Sequence, residues 1–285
     1  STDPMDYPAE IRGVVKDYAA TETTKTVSSI WTEGDAIGVT TAAGISKISY
    51  IMTDDRNVKY AYNAEKDVFQ VVSKEGEDHT IYFKGPYTMS MTAYAPYTGE
   101  RGTLAGVIQA STTSEKQVDT ARATIDFLYA EGGGSQTNPR VEFQFFHKMS
   151  QLVLAFKAGG GLELDDISYT LKNIILDGSF DTSAGSVASG KTTGNINMSL
   201  AKGKEMNSSV IVFPQKLAST LLLELAMGGK TYAQPIGNGI DLISGNTYIF
   251  DVTIAPQSMT VSPAKIEDWI WGENSDHYVI AGESE

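Results

Sequence analysis

The densest alternation of large apolar and polar positions lies near the middle of the chain, over residues 141–156 (VEFQFFHKMSQLVLAF). Val141, Phe143 and Phe145 alternate with Glu142 and Gln144, and after a break at residues 147–151 the period of two resumes at Leu152, Leu154 and Phe156. Successive strand side chains point to opposite faces, so the stretch predicts two buried strands joined by a bend. The cleanest alternation is YIFDVTI, where Tyr248, Phe250, Val252 and Ile254 share one face.

Short strand-like runs fill the first half at 45–52, 58–62, 68–72, 80–83 and 89–94, with turn signals between them. Strands this short and closely spaced predict a sandwich or a barrel, not a sheet with crossover helices. The second half continues in the same manner at 168–176, 195–200, 210–213, 221–227, 259–261 and 266–271, and one short polar helix is expected over 114–123. Gly132, Gly133, Gly134 and Ser135, with Asn138 and Pro139 after them, read as a linker. The chain is therefore expected to divide into domains 1–138 and 139–285, with residues 141–156 opening the second.

Both ends of the pattern are weak. Residues 9–20 carry Ile11, Val14 and Val15 as a strand-like run that Gly13 interrupts. Residues 21–29 (TETTKTVSS) are small and polar, the kind of loop at which proteases cut. At the other end, His277, Tyr278, Val279, Ile280 and Ala281 form a strand-like tail after the polar break 273–276.

A chain of 285 residues has room for two ordinary domains, and 41% hydrophobic with 20% charged residues excludes a disordered chain. Its apolar runs are too short for a membrane-spanning helix. The net charge is −13 and the 22 Lys and Arg form no basic stripe, so nucleic acid is not an expected partner. There is no cysteine, which excludes disulfides, thiolate metal sites and a cysteine nucleophile. The start at Ser1 without Met suggests removal of a leader.

The sequence nominates no catalytic, cofactor-binding or metal-ligating residue. It has no G-x-S-x-G elbow, and His79, His147 and His277 lack metal-ligand spacing. Asp54 with Asp55 and Asp165 with Asp166 are adjacent pairs, which on a strand face opposite ways and so cannot close on one sugar; they read as turn residues. His147, in the central bend, reads as a hydrogen-bonded structural histidine. Tyr82, Tyr87, Tyr94 and Tyr97 could form a sugar-stacking platform, although tyrosine is also a common strand residue.

Six segments in order, WTEGDAIGV at 31–39, AYAPY at 93–97, DFLYA at 126–130, residues 141–154, GNTYIFDV at 245–252 and IEDW at 266–269, resemble the fimbrillin-like family. These are fimbrial subunits of Bacteroides-type anaerobes. The resemblance implies an all-β protein of two tandem β-sandwich domains with transthyretin-like Greek-key topology, without enzymatic activity or cofactor. It further implies export as a lipoprotein precursor to the outer membrane and cell-surface fimbria, and polymerisation with other fimbrial subunits by donor-strand exchange. In that scheme a maturation protease removes the first strand, and a neighbour's strand fills the groove. Carried onto this chain, residues 9–20 are the removable strand, residues 21–29 the processing loop and His277 to Ala281 the donor. The chain departs from the oral members, which are cut after Arg: the loop offers only Lys25, and Arg12 lies within the strand itself. The alternative is a tip or accessory adhesin that binds a host or bacterial glycan or protein.

Overall fold

The computed structural model describes residues 7–15, 31–42, 55–84, 87–237 and 239–269, and these are built of strands. In chain order the first seven are β1 (Tyr7–Pro8), β2 (Glu10–Val15), β3 (Ala36–Thr41), β4 (Val58–Asn63), β5 (Val68–Val71), β6 (Tyr82–Phe83) and β7 (Met89–Ala95). After β8 (Val107–Ser111) come two 3-10 helices, η1 (Ser114–Lys116) and η2 (Asp119–Thr124), then β9 (Leu128–Gly134) and β10 (Arg140–His147). The rest are β11 (Ser150–Ala158), β12 (Ile167–Ile175), β13 (Asp177–Asp181), β14 (Val187–Ser189), β15 (Thr193–Leu200), β16 (Asn207–Val212), β17 (Leu222–Met227), β18 (Lys230–Pro235), β19 (Asn246–Ile254), β20 (Met259–Val261) and β21 (Lys265–Asp268). They fall into two compact units through which the chain weaves: unit 1 is residues 1–108, 126–148 and 180–186, and unit 2 the remainder.

In unit 1 the strands close into a barrel in the order β10-β2-β5-β4-β3-β7-β9. This corrects the expectation of two sandwiches, since seven strands here form one closed sheet. The alternation in β10 is the reason it fits: Val141, Phe143 and Phe145 are fully buried while Glu142 and Gln144 face out. Gly132, Gly133 and Gly134, expected as a linker, are the second half of β9. A Cβ on Gly132 would lie 2.8 Å from Phe143 Cδ1, and one on Gly134 2.8 Å from Phe83 Cζ. The glycines make room for the large rings inside the barrel, and the turn after them joins two strands of the same barrel.

Unit 2 packs two sheets on one apolar core. One has the order β16-β11-β19-β20, with β21 also on β19, and the other the order β15-β12-β17-β18. Leu152, Leu154 and Phe156 from β11 and Phe250, Val252 and Ile254 from β19 meet Leu171, Leu223 and Ile196 of the facing sheet. β11 runs parallel to β19 and antiparallel to β16, so it sits inside its sheet. Its other face is buried too, with Val153 and Ala155 packed on Ile249. β8, β13 and β14 form a further three-stranded sheet.

Candidate functional site

β2 is held unequally on its two sides. It runs parallel to β10 through six residue pairs, from Glu10↔Arg140 to Val15↔Phe145. Toward β5 there is one pair among the described residues, Ile11↔Phe69, while Tyr7 and Pro8 just ahead of it pair with β6. The barrel therefore has a long seam and a short one on either side of its first full strand. Ala9 and Ile11 are buried and Val14 is 56% exposed, as the period of two requires.

Gly13, which weakens the strand pattern in the sequence, has a packing role. A Cβ at that position would lie 2.8 Å from Phe145 Cε2 and 3.2 Å from Phe69 Cε2. Those rings have little freedom to give way. Trp31 meets Phe69 edge-on at 5.0 Å and Phe145 at 5.2 Å, while Phe69 also meets Tyr62 at 5.4 Å and Phe145 meets Phe143 at 5.9 Å. The Trp31 indole N–H donates to the Gly13 carbonyl at 3.0 Å. What underlies β2 is thus an aromatic groove in which Ile11 is buried between its register partners Val141 and Phe69 and, two residues on, a position where a Cβ would press on two rings.

Unit 2 treats its strand edges in the opposite way. The Ile211 N–H of β16 donates to Gln117 Oε1 at 2.8 Å, and Gln117 Nε2 donates back to the Ile211 carbonyl at 2.9 Å. Arg122 donates to the Ser209 carbonyl at 2.7 Å and to its hydroxyl at 3.0 Å. At β15 the Asn197 N–H donates to Ser114 Oγ at 2.9 Å. The segment 112–124 therefore satisfies edge backbone groups through side chains and stands where a neighbouring strand would pair. The sequence marked this segment only as a polar helix. Its signal is Gln117, buried to 1% exposure between half-buried and exposed residues.

Arg12 lies in β2 in register with Glu142. Lys25 and the five tail residues His277, Tyr278, Val279, Ile280 and Ala281 lie outside the described residues. His147 is a buried structural histidine, its Nδ1 2.7 Å from Asp126 Oδ1. The tyrosines form no platform: Tyr87 is 67% exposed, whereas Tyr94 is 4% exposed and turned inward. Tyr94 donates to Asn57 Oδ1 at 2.6 Å and Tyr97 to the Asn57 carbonyl at 3.2 Å, and burial pushes the Tyr94 hydroxyl up to about 12. Among the described residues no group of three or more His, Asp or Glu side chains could hold a metal ion.

The fimbrillin-like family model matches residues 20–269. The chain belongs to the fimbrillin-like family. It is similar to a protein of Bacteroides uniformis, provisionally named fimbrium subunit Fim1C, at 27% identity over 87% of this chain and 82% of that protein's length. Among solved structures, a protein of Bacteroides ovatus provisionally described as a cell adhesion protein is 33% identical, with a TM-score of 0.83 over 93% of this chain and 98% of its own. A second such protein, from Bacteroides uniformis, shares the fold at 23% identity and a TM-score of 0.69, over 92% of this chain and 99% of its own. The family match begins at residue 20, so β2 lies outside the matched span.

Proposed function

We propose that this fimbrillin-like chain is a structural, non-enzymatic subunit of a cell-surface fimbria that polymerises by strand exchange. β2 is the strand that leaves, the segment 21–29 with Lys25 is where a maturation protease cuts, and His277 to Ala281 of a neighbouring subunit supply the incoming strand. A cut at Arg12 would sever β2 within its ladder and free only part of it. The precursor is exported as a lipoprotein and held at the outer membrane until processed.

The observation that carries this reading is the unequal hold on β2, six residue pairs to β10 against one to β5. Withdrawing the first segment breaks the β10 ladder, the Ile11↔Phe69 pair and the β1–β6 pairs, and uncovers an apolar groove lined by Phe69, Phe143 and Phe145. Exposed apolar area costs roughly 25 cal/mol per Å², and an extended strand that restores the ladder recovers it. Limited proteolysis followed by native electrophoresis and electron microscopy tests the reading. Loss of the first segment should yield filaments, and a processed chain that stays monomeric at high concentration contradicts it. Deleting 277–285 should leave a folded chain that no longer polymerises.

A further inference from the structure

We infer that the β2 groove reads its occupant through a glycine, accepting a strand with a large aliphatic residue followed two positions later by Gly, and that Ile280 to Gly282 of a second copy meets this requirement. The inference rests on the strand-exchange reading and adds what decides which strand enters. The first half of the rule is the socket of Ile11, which is 1% exposed opposite Val141. The second half is the wall of rings at position 13, where a Cβ would be 2.8 Å from Phe145 and 3.2 Å from Phe69. Trp31 braces both rings and lies beyond the processing segment, so it stays with the barrel when β2 departs. An incoming strand can offer the Trp31 indole N–H a carbonyl at the register of Gly13 only if it approaches as closely as Gly13 does.

The order Ile-x-Gly occurs in this chain at Ile11, Ile243, Ile270 and Ile280. The second belongs to the turn before β19, where Gly245 has φ 82 and its carbonyl accepts the Trp269 N–H at 2.8 Å. The third begins one residue past Trp269, whose N–H that bond holds in unit 2. Ile280 stands eleven residues past Trp269. That length of chain spans roughly 36 Å when extended, enough to reach outside its own subunit. Laid in the register of β2, Ile280 would stand opposite Val141 and Gly282 opposite Phe143.

The test uses the full chain with a site-specific protease sequence placed in the 21–29 segment, nicked after folding. Fluorescent peptides of residues 8–15 and 277–284 compete for the groove, beside Gly13→Val and Gly282→Val versions and the controls Arg12→Ser and Ala281→Ser. Both parents and both controls should enter, and the valine peptides should bind roughly tenfold or more weakly, as overpacking of a filled site costs. Equal entry of the valine peptides overturns the glycine rule and leaves strand exchange standing. Entry of the 8–15 peptide but not of 277–284 overturns the tail as occupant. Entry of neither contradicts strand exchange itself, and the rule falls with it. In the intact chain, which needs no exchange, Gly13→Val should lower the melting temperature and Phe145→Leu should restore part of the loss. The absence of any restoration contradicts the rule.

Discussion

The barrel and the sandwich handle their β edges differently. Around β2 the backbone closes the barrel with six pairs on one side and one on the other, so the strand is enclosed but weakly seamed. At β16 the edge has no strand beside it among the described residues, and Gln117 and Arg122 occupy its carbonyls and an N–H with side chains from their own unit. An edge becomes an acceptor where a backbone partner can leave, and is withdrawn from pairing where same-chain side chains replace that partner. On the proposed strand-exchange reading, one chain carries an edge that opens and an edge that stays shut.

The contrast breaks most severely at the rings under β2. Phe145→Ala should cost about 3–5 kcal/mol, because it empties the site between Trp31 and Phe143, and denaturant titration will read it as a lowered midpoint. Gln117→Ala strikes the other edge. It strips both partners from Ile211 at a buried position and should cost about 1–3 kcal/mol. Light scattering should show new association through β16, and unchanged scattering would mean that Gln117 does not guard that edge. Trp31→Phe keeps a ring but removes the donor to Gly13, a loss of about 1 kcal/mol. Its signature is faster amide exchange confined to residues 10–15. Lys172→Ala touches neither device and sits on the outer face of the four-stranded sheet. Its ion pair with Glu224 at 3.0 Å is 39% and 43% exposed, so the change should stay within about 0.5 kcal/mol and serves as the control.

How much of this was legible follows from which interactions are local. The two-residue alternation marked β10, β11 and β19 correctly, because burial on one face imposes that period. It also suggested a domain opening at residue 139, a boundary that rests on local pattern alone. β10 belongs with β2, about 130 residues earlier, through a parallel pairing that leaves no local trace in either strand. The glycines at 132–134 read as a linker because a glycine making room for a ring looks, in sequence, like one making a turn. Gly13 looked like a defect of the first strand for the same reason. Gln117 and Arg122 were invisible as edge caps, since polar residues in a short helix are ordinarily solvated. The six ordered segments pointed to the fimbrillin-like family, while the barrel in unit 1 departs from the paired sandwiches that the resemblance implied.

The account stands on β2 being the part of the barrel that opens first. Native-state hydrogen exchange on the intact, uncleaved chain measures this directly. The amides of residues 10–15 should exchange through an opening of markedly lower free energy than those of β11 and β19, and should do so without loss of protection in unit 2. Protection of β2 equal to that of β11 and β19, lost only on global unfolding, would contradict it.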